Sequence, residues 1–281
     1  MDNNQNRTQK MRCIFCKNDS SSSKSVEHII PESLGNKSHV LQKGIVCDCC
    51  NNYFATKIEK MVLEKPYFKN VRYRNFIETK KGRLVPDKTL FPHKEGGWVD
   101  VWLDEKGIIF DSKDRHVIDL ITEGKINKLI MPIINQPEEN DYDISRFLGK
   151  IALEFLTYKF TNDISWIEEI ATKPELDPLR NYARFGKGSF WKYHQRRIYS
   201  EETRFTDPIH HPEPYEILHE MDILYTEDNV MYFILVIMGI EFAINLAHPE
   251  TDYYVDWLQK NNNTSPIRRY SERMITEKHS K

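Results

Sequence analysis

The chain has 281 residues, 40% of them hydrophobic and 12% aromatic, with a formal net charge of −2. That length can bury one large core or two ordinary ones, and the composition excludes a disordered or low-complexity chain. The longest apolar run, Val230 to Met238, falls far short of the roughly 20 residues of a membrane helix, and the opening MDNNQNRTQKMR lacks the apolar stretch of a signal peptide.

In chain order, the first feature is a pair of knuckles. Cys13-x-x-Cys16 and Cys47-x-x-Cys50 bracket the string SVEHIIPESLGN at 25–36 and hold four of the five cysteines. Two such knuckles let four thiolates reach one tetrahedral zinc at about 2.3 Å each. Cys13, Cys16, Cys47 and Cys50 are therefore the expected ligands of a structural zinc. Cys49 is the doubtful member, because Cys47-x-Cys49 is a cramped pairing. Thiolates without disulfide spacing suit a reducing cytoplasm.

His39 to Val46 reads as a strand that leads into the second knuckle. Residues 50–64 read as a helix, with Phe54, Ile58, Met61 and Val62 at spacings of three and four forming an apolar stripe that stops at Pro66. The following YFKNVRYRNFIETKKGRLVP interleaves Lys69, Arg72, Arg74, Lys80, Lys81 and Arg83 with Tyr67, Phe68, Tyr73 and Phe76. This mixture suits a surface that tracks a phosphate backbone, with Lys80, Lys81 and Arg83 as the expected nucleic-acid contacts. A solvated strand pair with an aromatic underside fits equally well. Residues 1–84 carry 16 Lys and Arg against 8 Asp and Glu, a balance of +8, while the remainder carries 24 against 34, a balance of −10. A basic head on an acidic body is the pattern of a polyanion-binding module joined to a region of different purpose.

From residue 85 the character changes. Val99, Val101 and Leu103 alternate with polar residues, and Asp104 to Gly107 reads as the turn of a hairpin before Ile108 and Phe110. Residues 143–158 form the clearest helix of the body, with Asp143 read as its N-cap and Ile144, Leu148, Ile151 and Phe155 on a broad apolar face. Helical segments follow at 164–171 and at 177–184, the latter ending at Gly186. Runs at 215–225, 230–238 and 241–246 predict an antiparallel meander. His210-His211-Pro212 reads as a loop rather than a metal site. Arg180, Arg184, Lys187, Lys192, Arg196 and Arg197 cluster around Trp191, as a continued nucleic-acid path, a receiver for an acidic ligand or, equally, a solvated helix flank.

The N-terminal residues also carry a family likeness. Cys-x-x-Cys, Glu27-His28, Ile29-x-Pro31, the Gly35 turn, Cys-x-x-Cys-Asn51 and a helix together resemble the HNH endonucleases, in particular the zinc-stapled branch with a ββα-metal (His-Me finger) core. The likeness covers roughly residues 11–64. It implies that His28 is the general base that takes a proton from the attacking water. It implies that Glu27 and Asn51 ligate a catalytic divalent cation, Mg²⁺ or Mn²⁺. One residue of helical register leaves Asn52 open beside Asn51. Many members have Asp where Glu27 stands, and the third His of the family motif is absent here. The residue that would hold the base imidazole is left open between Asn36 and Gln42.

These residue types also suit the chemistry on their own terms. Phosphodiester hydrolysis needs a water deprotonated near neutral pH and positive charge on the phosphate, which an imidazole and a hard divalent cation supply. The expected architecture is α+β: a zinc-stapled ββα-metal module at 1–84 with a basic trailing arm, then an α+β domain with an antiparallel sheet at 85–281. That second region is expected to regulate, select substrate or oligomerise. The expected activity is hydrolysis of DNA, double-stranded by default, with restriction or phage defence as the setting. The competing reading is a non-catalytic zinc module that binds nucleic acid or protein, with a ligand-sensing body.

Overall fold

The computed structural model describes residues 11–94, 97–104, 107–111, 115–207, 211–269 and 274–276. It opens with β1 (Glu27–His28) and β2 (Val40–Leu41), paired antiparallel with Glu27 opposite Leu41 and His28 opposite Val40. Cys47 caps the helix α1 (Asp48–Phe54), which runs on through a π-turn (Ala55–Glu59) into α2 (Lys60–Leu63). The expected apolar stripe is realised by Phe54, Ile58 and Val62, all fully buried, whereas Met61 is 50% exposed. The π-turn accounts for the difference. Its i→i+5 bonds widen the turn, so residues four apart stay on one face and Met61, three from Ile58, rotates outward.

Pro66 starts a helix rather than only ending one, because its missing N–H falls where no intrahelical partner exists. In α3 (Pro66–Arg74), Tyr67, Phe68, Arg72 and Tyr73 are buried. Residues 66–74 thus form a helix rather than one half of a strand pair, and its rings Tyr67, Phe68 and Tyr73 are buried, whereas Phe76 beyond it is 48% exposed. β3 (Asp87–Leu90), β4 (Trp98–Asp104) and β5 (Gly107–Asp111) make an antiparallel sheet in that order, and Asp104 pairs with Gly107 at the expected hairpin. The helix α4 (Arg115–Thr122) follows.

The long helix α5 (Tyr142–Tyr158) is capped by Asp141, not Asp143, and the Asp141 carboxylate accepts from the amides of Asp143 and Ile144. Then come α6 (Ile164–Thr172) and α7 (Asp177–Phe185), which ends on Gly186 in the left-handed conformation at φ 64°. α5 and α7 approach so closely that a Cβ on Gly149 would meet Leu179 Cδ1 at 3.0 Å. The remaining elements are β6 (Tyr193–Arg197), β7 (Arg204–Asp207), β8 (His211–Tyr215), β9 (His219–Tyr225), β10 (Met231–Ile237), β11 (Ile240–Asn245), α8 (Asp252–Lys260), α9 (Pro266–Arg269) and β12 (Met274–Thr276). The expected meander is β9–β10–β11, and β6 joins it to give the order β6-β11-β10-β9. His210 lies outside the described residues, and His211 opens β8.

By compactness the chain divides into two units, and the division does not follow residue 84. One comprises Met1–Ile30, Lys37–Met61 and Glu139–Lys281, and the other Pro31–Asn36 and Val62–Glu138. In the first unit the central strands β10 and β11 are covered on both faces. Tyr254, Trp257 and Leu258 of α8 pack against Tyr232, Ile234, Val236 and Ala243 on one side. On the other, the Phe155 ring of α5 lies 5.4 Å from that of Phe233. The second unit has its own core of Tyr73, Phe91, Val99, Val101, Val117, Leu120 and Ile126. No helix among the described residues is long and apolar enough to cross a membrane.

Candidate functional site

The four knuckle cysteines are assembled by local turns. The backbone N–H of Lys17 bonds to the Cys13 carbonyl at 2.9 Å, folding the first knuckle into a tight turn with Lys17 at φ 61°. The second knuckle is a helix start. The Cys47 sulfur accepts from the Cys50 amide at 3.4 Å, and the Cys47 amide donates to the Cys13 sulfur at 3.3 Å. The amide of Ile14 donates to the Ile45 carbonyl at 3.0 Å and ties the two knuckles together.

The four Sγ atoms of Cys13, Cys16, Cys47 and Cys50 lie within 4.8 Å of one another, with Cys16 and Cys47 at 3.6 Å. Zinc–sulfur bonds of about 2.3 Å in a tetrahedron require sulfurs about 3.8 Å apart, so the donor set fits a zinc ion. Cys49 is exposed and stands outside the cluster, as the cramped-pairing argument expects. A hydrogen bond from Cys50 draws the Cys13 thiol down to about 5 and pushes Cys50 up, while burial pushes Cys47 up to about 11. Sulfurs packed this tightly share protons, and a bound cation would replace them.

Two arginines on one face of α7 close over this cluster. Arg184 Nε donates to the Cys50 sulfur at 3.3 Å, and its guanidinium stacks 3.7 Å above the Tyr53 ring. One turn earlier, Arg180 is buried and its Nε donates to the Ile14 carbonyl at 2.5 Å. Within the basic cluster expected around Trp191, the arginines divide from the lysines: Arg180 is buried, while Lys187 and Lys192 stay exposed. Arg180 also pairs with Asp177, Arg196 with buried Glu241 at 2.6 Å, and Lys192 with Glu250 at 2.6 Å.

The Glu27–His28 strand lies against α1 on one side. Asn51 Nδ2 donates to the Val26 carbonyl at 3.1 Å, whereas Asn52 is exposed. That bond uses the amide nitrogen, which leaves Oδ1 as the atom that would ligate a hard divalent cation, while the Glu27 carboxylate is engaged by Lys150 at 2.7 Å. Asp48, which sequence reasoning did not single out, grips the chain just before β1. Its carboxylate accepts from the Ser25 hydroxyl at 2.5 Å and from the amides of Ser25 and Lys24 at 2.8 and 3.0 Å. The Ser25 hydroxyl is the main reason the Asp48 carboxyl lies below its usual range. His28 is half-buried next to Glu27 in the strand. Of the residues left open for holding the imidazole, Asn36 is buried and Gln42 donates to the Thr161 carbonyl at 3.3 Å.

On its other side the strand meets Lys150, from the middle of α5. Lys150 Nζ lies 2.7 Å from Glu27 Oε1, 2.8 Å from Glu59 Oε1 and 3.0 Å from Glu154 Oε2. It also donates to the carbonyls of His28 and Ile29, at 3.2 and 3.4 Å. Burial alone would push this ammonium down, but Glu154, Glu27 and Glu59 outweigh it and hold it well above the usual lysine range. Burial pushes Glu154 up. The sequence does carry a trace of this arrangement. Lys150 and Glu154 stand four apart in LGKIALEF, a charged pair inside an otherwise apolar helix. Lys80, Lys81 and Arg83 occupy an exposed turn of the second compact unit, closed by the Gly82 amide on the Thr79 carbonyl at 2.9 Å.

Residues 13–66 match the family model described as HNH endonuclease. The likeness read from the two knuckles and the Glu27-His28 pair is thus borne out over that segment, which is an HNH module with a cysteine cluster and points to a nuclease. No curated protein and no solved structure matches the chain.

Proposed function

We propose that the protein is a metal-dependent endonuclease that hydrolyses DNA phosphodiester bonds, with duplex DNA as its substrate and restriction or phage defence as its setting. One observation carries the reading. Within the HNH-matching segment, the zinc-ligand cysteines, the Glu27–His28 strand and the start of α1 are joined by short contacts, among them Asn51 to the Val26 carbonyl at 3.1 Å.

In this mechanism His28 accepts a proton from the water that attacks phosphorus. Glu27 and Asn51 hold Mg²⁺ or Mn²⁺, which when bound offsets negative charge on the scissile phosphate. Cys13, Cys16, Cys47 and Cys50 hold a structural zinc that keeps strand and helix in register. Lys80, Lys81 and Arg83 contribute phosphate contacts, and a reducing cytoplasm keeps the thiols available. Residues 1–84 supply the chemistry and its basic arm, and residues 85–281 regulate, select substrate or oligomerise.

The competing reading, a zinc module that binds without cutting, draws on the burial of Glu27, 6% exposed and ion-paired. A plasmid-nicking assay with Mg²⁺, Mn²⁺ and EDTA lanes separates the two. Nicking in the metal lanes that EDTA abolishes supports the nuclease. Intact plasmid in every lane, with DNA still retarded on a gel, supports the binding module.

A further inference from the structure

The strand that carries His28 has little to hold it. β1 and β2 are two residues each, and their pairing ends with Ile29 N bonded to the His39 carbonyl at 3.1 Å. An isolated pair so short is marginal in water, so its orientation must be fixed from outside the ladder.

Lys150 meets that need. Its ammonium reaches three consecutive residues of this segment: the Glu27 carboxylate at 2.7 Å, the His28 carbonyl at 3.2 Å and the Ile29 carbonyl at 3.4 Å. Glu59, in the π-turn, and Glu154, one turn along α5, take the remaining contacts at 2.8 and 3.0 Å. The side chain is 0% exposed. Stability alone is a poor reason for such a cluster, because apolar side chains of similar volume commonly replace buried ion pairs at no loss. What a buried ammonium does supply is direction, since its three N–H donors accept only a few arrangements of surrounding oxygens.

We infer that Lys150 is a positioning residue, which acts through Glu27 and the backbone of His28 to align the carboxylate and imidazole of the proposed nuclease site. The site is then completed by α5, from outside the HNH-matching segment. The effect on cleavage rests on the nuclease reading; the effect on the strand does not.

The test uses full-length protein. Lys150→Met alone leaves three carboxylates facing one another and risks misfolding, so it is paired with a charge-relieved variant, Lys150→Met with Glu59→Gln and Glu154→Gln. Three quantities are compared with the wild type: zinc content, residue-level amide exchange, and Mn²⁺ affinity alongside plasmid cleavage. The expected result is retained zinc and unchanged protection in β10 and β11. Amides 27–29 should exchange at least tenfold faster, and both Mn²⁺ affinity and cleavage should fall by about 10–100-fold, the usual cost of losing a group that orients a metal ligand. A folded, zinc-loaded variant with wild-type exchange, Mn²⁺ affinity and cleavage overturns the inference. If the wild type neither cuts nor binds Mn²⁺, the nuclease reading fails, and the exchange measurement still decides whether Lys150 holds the strand.

Discussion

The four-cysteine cluster and the Lys150 cluster occupy the same compact unit, and both gather polar groups around one point, but they are assembled differently. The first draws on Cys13, Cys16, Cys47 and Cys50, each pair set by a single turn of chain. The second draws on Glu27, Glu59, Lys150 and Glu154, and the Glu27–Lys150 contact closes more than a hundred residues of chain. A knuckle forms from local geometry plus a metal, at small loop-closure cost. The lysine arrives only when α5 has packed. The difference teaches that an HNH segment recognisable by itself need not be a complete site by itself.

The largest effect should come from the local cluster. Zinc contributes on the order of 10–16 kcal/mol to folding in small zinc modules, comparable to the entire stability of a domain. Cys13→Ala or Cys47→Ala should therefore lose zinc by elemental analysis and yield insoluble protein, whereas Cys49→Ser should keep both metal and melting temperature. A folded Cys47→Ala protein would erase the distinction between the two clusters. Next in size is Lys150→Met alone. Removing one partner from a buried pair costs about 3–5 kcal/mol, because the remaining charges are stranded. Denaturant melts should show that loss with zinc still bound at the midpoint of the wild type.

The third effect is on chemistry rather than folding. His28→Ala should keep zinc, melting temperature and DNA binding, yet lose cleavage by about 10²–10⁴-fold. Glu27→Ala and Asn51→Ala should instead be partly recovered by raising Mn²⁺, since they weaken cation binding. Full cleavage by His28→Ala would remove the base from the mechanism and leave the Lys150 cluster as scaffold.

What was readable in the sequence follows the same division. Cysteine spacing, the α5 periodicity and the β9–β10–β11 meander are local patterns, and the structure realises each. Met61 was misread because a π-turn alters the helical period, which no residue type announces. Residues 66–74 form a helix where a strand pair fits the sequence as well, because alternating rings and cations suit either. Packing decides between the two, as the burial of Tyr67, Phe68 and Tyr73 shows. The contacts of Lys150 with Glu27 and of Arg184 with Cys50 were not readable, since only tertiary structure brings such distant residues together.

A smaller effect separates DNA affinity from both clusters. Neutralising Lys80, Lys81 and Arg83, which lie in the other compact unit, should flatten the log–log salt dependence of DNA binding by roughly one unit per true phosphate contact. Zinc content and amide exchange at 27–29 should not change. An unchanged slope would move the binding face elsewhere.

The smallest effect concerns Asp48, which couples the two clusters from the zinc side. It sits directly after Cys47 and grips Lys24 and Ser25, the residues that lead into the Glu27 strand. Its carboxyl is held below the ordinary aspartate range, chiefly by the Ser25 hydroxyl. A carboxyl depressed on folding contributes stability that is complete above its unfolded pKa and is lost as pH falls through the folded one. Asp48→Asn should therefore lower the melting temperature slightly, less than Lys150→Met does. The deficit should stay constant from about pH 7 to about pH 5, because both relevant pKa values lie below that window. Working in this window also keeps acid from stripping the zinc thiolates, which would mask so small a term. A deficit that shrinks before pH 5 would mean that the carboxylate is not held down by its clamp. The entry to the Glu27 strand would then depend on Lys150 without help from the zinc side.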